Sequence, residues 1–279
     1  MPELPEVETI VRALREGRGD IPSVKGRKIA AAWLFWQRTL QHPSAEEFLA
    51  AIPDQVISQV TRRGKLIWFH LTRSHLFLHL RMSGDVRVEP MVWGGDQSPT
   101  AQKHDRLVIG FSDGWGMYFN DTRKFGRAWL VNNPDLVIGN LGLEPLSDEF
   151  TAGWLYRNLQ QSNRQIKTLL LDQTFLAGLG NIYTDEALHL AKIHPNRIAS
   201  KIDANASRAL WHSIREVLKS GIDSHGASID WVYKGGDFQN KFRVYRRTGL
   251  PCPECGSVIQ RILVGQRSTH FCPLCQPIL

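Results

Sequence analysis

Cysteine is missing from the first 251 residues of this 279-residue chain, which excludes a disulfide framework for nearly all of the molecule. No run of roughly 18 apolar residues occurs, so no membrane-spanning helix is expected. The amino end is charged and lacks the apolar stretch of a secretory signal. Internal repeats and low-complexity tracts are also absent. Together these absences lead to the expectation of a chain working in a reducing, cytoplasmic compartment, with 42% hydrophobic residues to fill sizeable cores.

All four cysteines lie in the last 28 residues, as Cys252, Cys255, Cys272 and Cys275: two Cys-x-x-Cys pairs separated by sixteen residues. That spacing is the signature of a tetrahedral zinc site, and four thiolates close the coordination sphere, so the ion is structural rather than catalytic. Pro251, Pro253, Gly256 and Pro273 supply the tight turns. Two disulfides are the competing reading, disfavoured by the reduced setting. Between the pairs, Ser257 to Val264 is a β-branched stretch of strand type, Gly265 to Ser268 a turn, and Thr269 to Phe271 the return, giving a zinc-clamped hairpin with Arg267 near its tip. From Lys241 onward six cations (Lys241, Arg243, Arg246, Arg247, Arg261, Arg267) face one acid, Glu254, in a chain of net charge +7. Such a concentration suits a reader of grooves or phosphates, although surface arginines are common on any soluble fold.

Glu3 to Arg15 carries Val7, Ile10, Val11 and Leu14 at helical spacing. Short apolar runs follow: Lys28 to Trp36, Lys65 to Leu71, His75 to Arg81, Arg106 to Phe111, Gly116 to Phe119 and Arg127 to Val131 predict strands of an antiparallel sandwich or barrel preceded by one helix. After residue 135 the pattern turns helical. Glu149 to Gln160, Asn181 to Ala191 and Ala204 to Ser220 predict amphipathic helices, with a shorter one over Arg164 to Leu171. The fold class expected is therefore a multidomain α+β chain: an N-terminal helix and β-sandwich over 1–135, a linker over 136–148, a helical domain over 149–240 and the zinc hairpin over 241–279.

The amino end carries potential chemistry. Removal of Met1 before the small Pro2 would leave a secondary amine with an α-amine pKa of about 8 rather than the roughly 10.4 of lysine, hence a larger neutral, nucleophilic fraction. A helix N-terminus disfavours its protonated form further. Glu3 and Glu6, three apart, fall on one helical face and would bring a carboxylate to the amine, the constellation for imine chemistry. From this segment alone a helix-start proline followed by dipole-complementing acids is the more ordinary reading.

Three segments, in order, carry a resemblance that spans the chain: Met1-Pro2-Glu3-Leu4-Pro5-Glu6-Val7-Glu8, Leu179-Gly180-Asn181-Ile182-Tyr183, and Gly265-Gln266-Arg267-Ser268-Thr269. With them the chain closely resembles the formamidopyrimidine-DNA glycosylases of the Fpg/Nei family of repair enzymes. The resemblance implies removal of oxidised bases from damaged double-stranded DNA, then cleavage at the abasic site through a Schiff base on the N-terminal proline. It also implies one structural zinc, a monomeric enzyme and a helical domain of the helix-two-turn-helix type. By matching position, Pro2 is the nucleophile on the sugar C1′, Glu3 the proton donor and Glu6 a second glutamate near the site. Lys65, in Arg63-Gly64-Lys65, binds a phosphate beside the lesion. Asn181 and Arg267 grip the phosphates flanking the flipped nucleotide, and Lys167 is a further basic residue near the site.

Reaching a base inside the duplex requires extruding its nucleotide and filling the gap. The resemblance assigns gap filling to Met82, in His79-Leu80-Arg81-Met82-Ser83-Gly84, and to Arg123 with Phe125, in Asn120-Asp121-Thr122-Arg123-Lys124-Phe125-Gly126; core packing is the ordinary alternative for such side chains. His79, opposite Leu76, Leu78 and Leu80 by strand alternation, reads as DNA-facing or as a plain hydrogen-bonded histidine. Apart from the family, the two glycines of Ala177-Gly178-Leu179-Gly180-Asn181 suggest a phosphate at the N-terminus of the helix that follows. The chain departs from the family pattern at Thr122 (usually proline), at Arg81 and Arg246 (usually glycine), and in a loop from Gly226 to Phe238 about four residues shorter than in relatives. These departures bear on lesion choice. An enzyme directed at oxidised pyrimidines and a non-catalytic, zinc-dependent binder of damaged DNA are the alternative functions.

Overall fold

In the computed structural model, residues 1–91, 98–228 and 235–278 are described, and they fall into two compact units. Met1–Pro2 and Glu6–Asn140 group with the first, Glu3–Pro5 and the residues from Leu141 onward with the second.

The helix α1 (Leu4–Glu16) belongs to the first unit from Glu6 onward, and its Val7, Ile10, Val11 and Leu14 enter that unit's core as the 3.6-residue spacing predicts. Two sheets share that core. One has the order β1 (Ile29–Leu34), β7 (Asp105–Phe111), β8 (Trp115–Asp121), β6 (Gly84–Pro90), antiparallel throughout. The other runs β2 (Leu40–His42), β9 (Arg127–Val131), β5 (His75–His79), β4 (Leu66–Leu71), β3 (Ile57–Arg63). Ile29, Ile109, Phe111 and Phe119 of the first sheet and Val60, Phe69, Leu76 and Leu78 of the second belong to one apolar cluster, so the architecture is a sandwich.

One expectation needs correction. The sheets are not wholly antiparallel, because β2 pairs in parallel with β9. One helix, α1, precedes the strands as expected, and a second, α2 (Ala45–Ala51), sits among them, begun by a capping box in which Ser44 Oγ accepts from Glu47 N and Glu47 answers at Ser44 N. β2, β3 and β6 were not anticipated either, and a short helix, α3 (Asp135–Ile138), occupies the expected linker.

The second unit contains α4 (Ala152–Gln160), α5 (Ile166–Leu170), α6 (Asn181–Leu190), α7 (Ala204–Asp223) and the hairpin β10 (Gln260–Val264) with β11 (Arg267–Phe271). Thr151 caps α4 and Asp203 caps α7 by accepting from first-turn amides. The expected amphipathic character of α6 does not hold. Ile182 through His189 are all buried, so this helix is the axis of the unit, and its polar residues point inward to specific partners. Glu186 accepts from the backbone N–H groups of Arg243 (2.8 Å), Val244 (3.0 Å) and Tyr245 (2.8 Å), which ties the entry of the zinc segment to α6. Desolvation raises its carboxyl pKa, and the three amides oppose that rise.

Candidate active site

Glu3 and Leu4 are held by the start of α6 and the residues before it. Glu3 precedes α1 rather than sharing its face with Glu6, and its buried carboxylate accepts from Ile182 N (3.0 Å) and Tyr183 N (3.4 Å). Leu4 N donates to Gly178 O at 3.1 Å. The two glycines are shaped for this segment: a Cβ on Gly180 would stand 2.2 Å from Glu3 Cδ, and one on Gly178, whose φ is +98°, would stand 2.6 Å from Leu4 Cδ1. These first-turn amides of α6 therefore serve the Glu3 carboxylate, which corrects the expectation of a phosphate there; a carboxylate satisfies the same dipole and donors. Pro2, peptide-bonded to Glu3, is buried, as is Glu6 in the first turn of α1.

The same turn of α6 fixes the hairpin. Asn181 Nδ2 donates to Ser268 O at 2.8 Å, one residue past Arg267. Lys167, fully buried, donates to Asp185 Oδ1 (2.6 Å), Thr269 Oγ1 (2.7 Å) and Ser268 O (3.2 Å), while Asp185 Oδ2 accepts from His270 N at 2.9 Å. Burial lowers the Lys167 pKa and Asp185 opposes the shift. This lysine thus clamps β11 instead of presenting its charge at a surface. Arg164, three residues before Lys167, is paired with Asp172 at 2.7 Å. The hairpin turn is Gly265 and Gln266 alone, with φ of 53° and 61°, so Val264 pairs with Arg267 and the arginine opens the return strand, exposed. A Cβ on Gly265 would meet Thr168 Cγ2 at 2.8 Å, so the tip also rests on α5.

Cys252, Cys255, Cys272 and Cys275 converge, their sulfurs all within 4.8 Å of one another. The Cys255–Cys272 and Cys252–Cys275 separations are 3.4 and 3.9 Å, near the roughly 3.8 Å between sulfurs of a tetrahedron with Zn–S of about 2.3 Å and far from the roughly 2.05 Å of a disulfide. Four thiolates fit one structural zinc. His189 Nε2 lies 3.4 Å from Cys252 Sγ, where a ring N–H can donate to a thiolate.

In the first unit, Arg63 pairs with Leu66 across a two-residue turn, Gly64 (φ +56°) and Lys65, and Lys65 is buried. His79 is half-buried and its Nδ1 accepts from Arg81 N at 3.0 Å; desolvation, helped by the Arg81 and Lys65 charges, pushes its pKa down to about 3, so the ring is neutral at physiological pH. Met82 and Phe125 are exposed at 38% and 46%, outside any core, and the Arg123 guanidinium lies 4.9 Å from the Phe125 ring centroid. Asp121, Ser83 and Asp185 were missed as site residues. Only Asp121 had a legible signal, an aspartate two residues before a loop amide that it can cap.

Three family models match in succession: the formamidopyrimidine-DNA glycosylase N-terminal domain over residues 1–128, its H2TH domain over 141–232, and the zinc finger found in FPG and IleRS over 249–278. The chain belongs to the formamidopyrimidine-DNA glycosylase family. It is 41% identical over 285 residues to the formamidopyrimidine-DNA glycosylase of Protochlamydia amoebophila (99% of each chain), and 40% identical over 287 residues to that of Pelotomaculum thermopropionicum (100% of each). Among solved structures it is similar to the Lactococcus lactis enzyme bound non-covalently to DNA containing an abasic site, with a TM-score of 0.87 and 35% identity over 99% of this chain and 100% of that one. It is also similar to MutM in complex with DNA containing carbocyclic 8-oxo-G, at 0.88 and 36% over the same shares. Residues 229–234 of the shortened loop lie outside the described residues, so Gly226 to Phe238 adds nothing here on lesion choice.

Proposed function

We propose that this protein is a bifunctional DNA glycosylase and abasic-site lyase of base excision repair, removing formamidopyrimidines and 8-oxoguanine from duplex DNA. The observation that carries the reading is the seat built for Glu3, two amides and a glycine cut to its carboxyl group, which holds the residue bonded to Pro2 in a fixed place. In the reaction the Pro2 nitrogen, freed of Met1, forms a bond to C1′ as the base departs with a proton, and Glu3 supplies protons to the base and the opening sugar. The resulting imine acidifies C2′, so loss of a proton there expels the 3′ phosphate, and a second elimination expels the 5′ phosphate. Lys65 and Arg267 offset the charge of the flanking phosphates, Arg267 from a hairpin stitched to α6 through Asn181 and Lys167. In this proposal Glu6 acts as a second glutamate of the reaction, and His79, Met82, Arg123 and Phe125 contact the duplex.

The domain division 1–135, 136–148, 149–240 and 241–279, a monomeric state, and a cytoplasmic, nucleoid-associated location belong to the same proposal. No described helix is long and apolar enough to cross a membrane. A preference for oxidised pyrimidines, or binding without catalysis, is not favoured, since family models and curated relatives alike carry the formamidopyrimidine glycosylase name. The test is a set of duplexes bearing formamidopyrimidine, 8-oxoguanine or an oxidised pyrimidine. Faster release of the purine lesions with phosphate at both ends of the gap is expected, and faster release of the pyrimidine, or binding without release, would overturn the reading.

A further inference from the structure

The turn bearing Met82 and the loop bearing Arg123 and Phe125 are far apart in the chain, yet one side chain organises both. Asp121 ends β8 and is 1% exposed. Its Oδ1 accepts from the Ser83 hydroxyl and from Arg123 N (3.1 Å), and its Oδ2 accepts from Gly126 N (2.6 Å). Ser83 Oγ in turn accepts from Arg123 N at 3.2 Å. The backbone of Asp121 is itself anchored, its O accepting from Arg106 Nε (2.7 Å) and its N donating to His104 O (2.8 Å). Gly126 closes the wrap, because a Cβ there would stand 2.4 Å from the Phe119 ring. The polar groups of both segments are thus turned onto one buried carboxylate, while Met82 and Phe125 are left in the open.

We infer that Asp121, acting through Ser83, is a positioning residue that locks the Met82 turn and the Arg123–Phe125 loop into one preformed wedge, so that both enter the duplex together. The inference rests on the glycosylase reading above. Filling the gap behind an extruded nucleotide with two independently mobile loops would require ordering each of them at the moment of insertion, an entropy loss that a prebuilt wedge has already met in folding.

Ser83→Ala tests it, since this variant removes the bridge between the segments and leaves Asp121 its bonds to Arg123 and Gly126 within its own loop. Excision of a lesion embedded in intact duplex is expected to slow about tenfold, the effect of one charge-assisted hydrogen bond. Borohydride trapping on a preformed abasic site in single-stranded DNA, which has no gap to fill, is expected to stay within about twofold at a temperature where the variant is fully folded, the lost bond to a buried carboxylate lowering its thermal midpoint without separating the two substrates. Ser83→Thr, which keeps the hydroxyl, is expected to retain embedded-lesion activity. Adding Met82→Ala to Ser83→Ala should cost less than Met82→Ala alone, because the wedge is already uncoupled. Wild-type protein inactive on both substrates would sink the glycosylase reading itself. An active wild type matched by Ser83→Ala on the embedded lesion, equal losses on both substrates, or strictly additive variants would overturn the inference.

Discussion

Replacing Gly180 by alanine is the sharpest perturbation of the seat that holds Glu3. The backbone there has φ −134° and ψ −161°, an extended conformation open to any L residue, so the substitution acts through contact and not through strain. The new Cβ would lie 2.2 Å from Glu3 Cδ and 2.4 Å from Oε1, where ordinary contact begins at 3.4 Å. The carboxyl group must retreat by more than 1 Å, and its bonds to Ile182 N and Tyr183 N, at 3.0 and 3.4 Å, cannot both survive. Losing one charge-assisted hydrogen bond while leaving a buried amide unmet costs about 2–3 kcal/mol of stability. A displacement of about 1 Å at a reacting group costs roughly 100-fold in rate. Urea unfolding reads the first quantity, and single-turnover trapping with borohydride on an abasic duplex reads the second. An alanine variant that unfolds at the wild-type midpoint and cross-links at the wild-type rate would refute the role given to this seat.

Three further outcomes follow from the geometry. The apolar cluster at the zinc site is small among the described residues, Val244, Cys252, Ile259 and Cys272 with Cys275 beside them, so chelating zinc or making Cys272→Ser should unfold the hairpin and weaken duplex affinity at least tenfold; metal analysis should find one zinc per chain, and unchanged affinity after its removal would conflict. Lys167→Met leaves Asp185 buried without its ammonium and should cost about 3–5 kcal/mol in urea unfolding, with a loss under about 1 kcal/mol counting against the clamp. His79, held neutral down to about pH 3 in the folded chain, takes up a proton near its ordinary pKa of 6.5 once unfolded, so the unfolded state binds more protons between these values and stability falls as pH drops through that window. His79→Gln should remove on the order of 1 kcal/mol per pH unit of that slope between pH 6 and 4, and parallel acid-unfolding curves would contradict this.

The zinc hairpin, α1 and the motif order could be read from the residues because each rests on local spacing: two Cys-x-x-Cys pairs, an apolar stripe, a β-branched run. Elements that bury little are harder to read. β3 turns only Ile57 and Val60 fully inward among Ser, Gln, Thr and Arg, and β6 alternates Val86 and Val88 with Asp85, Arg87 and Glu89, so neither offers a continuous apolar run. α2 had a local signal, Ser44 with Glu47 three residues on. The polar interior of α6 had none, since Asp185 and Glu186 look like surface acids until the backbone amides and the Lys167 ammonium that they meet, more than fifty residues or about one helix away, are brought to them by the fold. For the same reason Gly180 read as room for a phosphate, when the anion it accommodates is the chain's own third residue.

Peptide mapping of the borohydride-reduced adduct between the mature protein and an abasic duplex, together with the intact mass of the free protein, tests the central claim most directly. The account predicts loss of Met1 and a deoxyribose-derived mass on the Pro2 nitrogen, abolished by Pro2→Gln. An adduct mapping to any lysine, or a protein that retains Met1 and still cross-links at full rate, would contradict it.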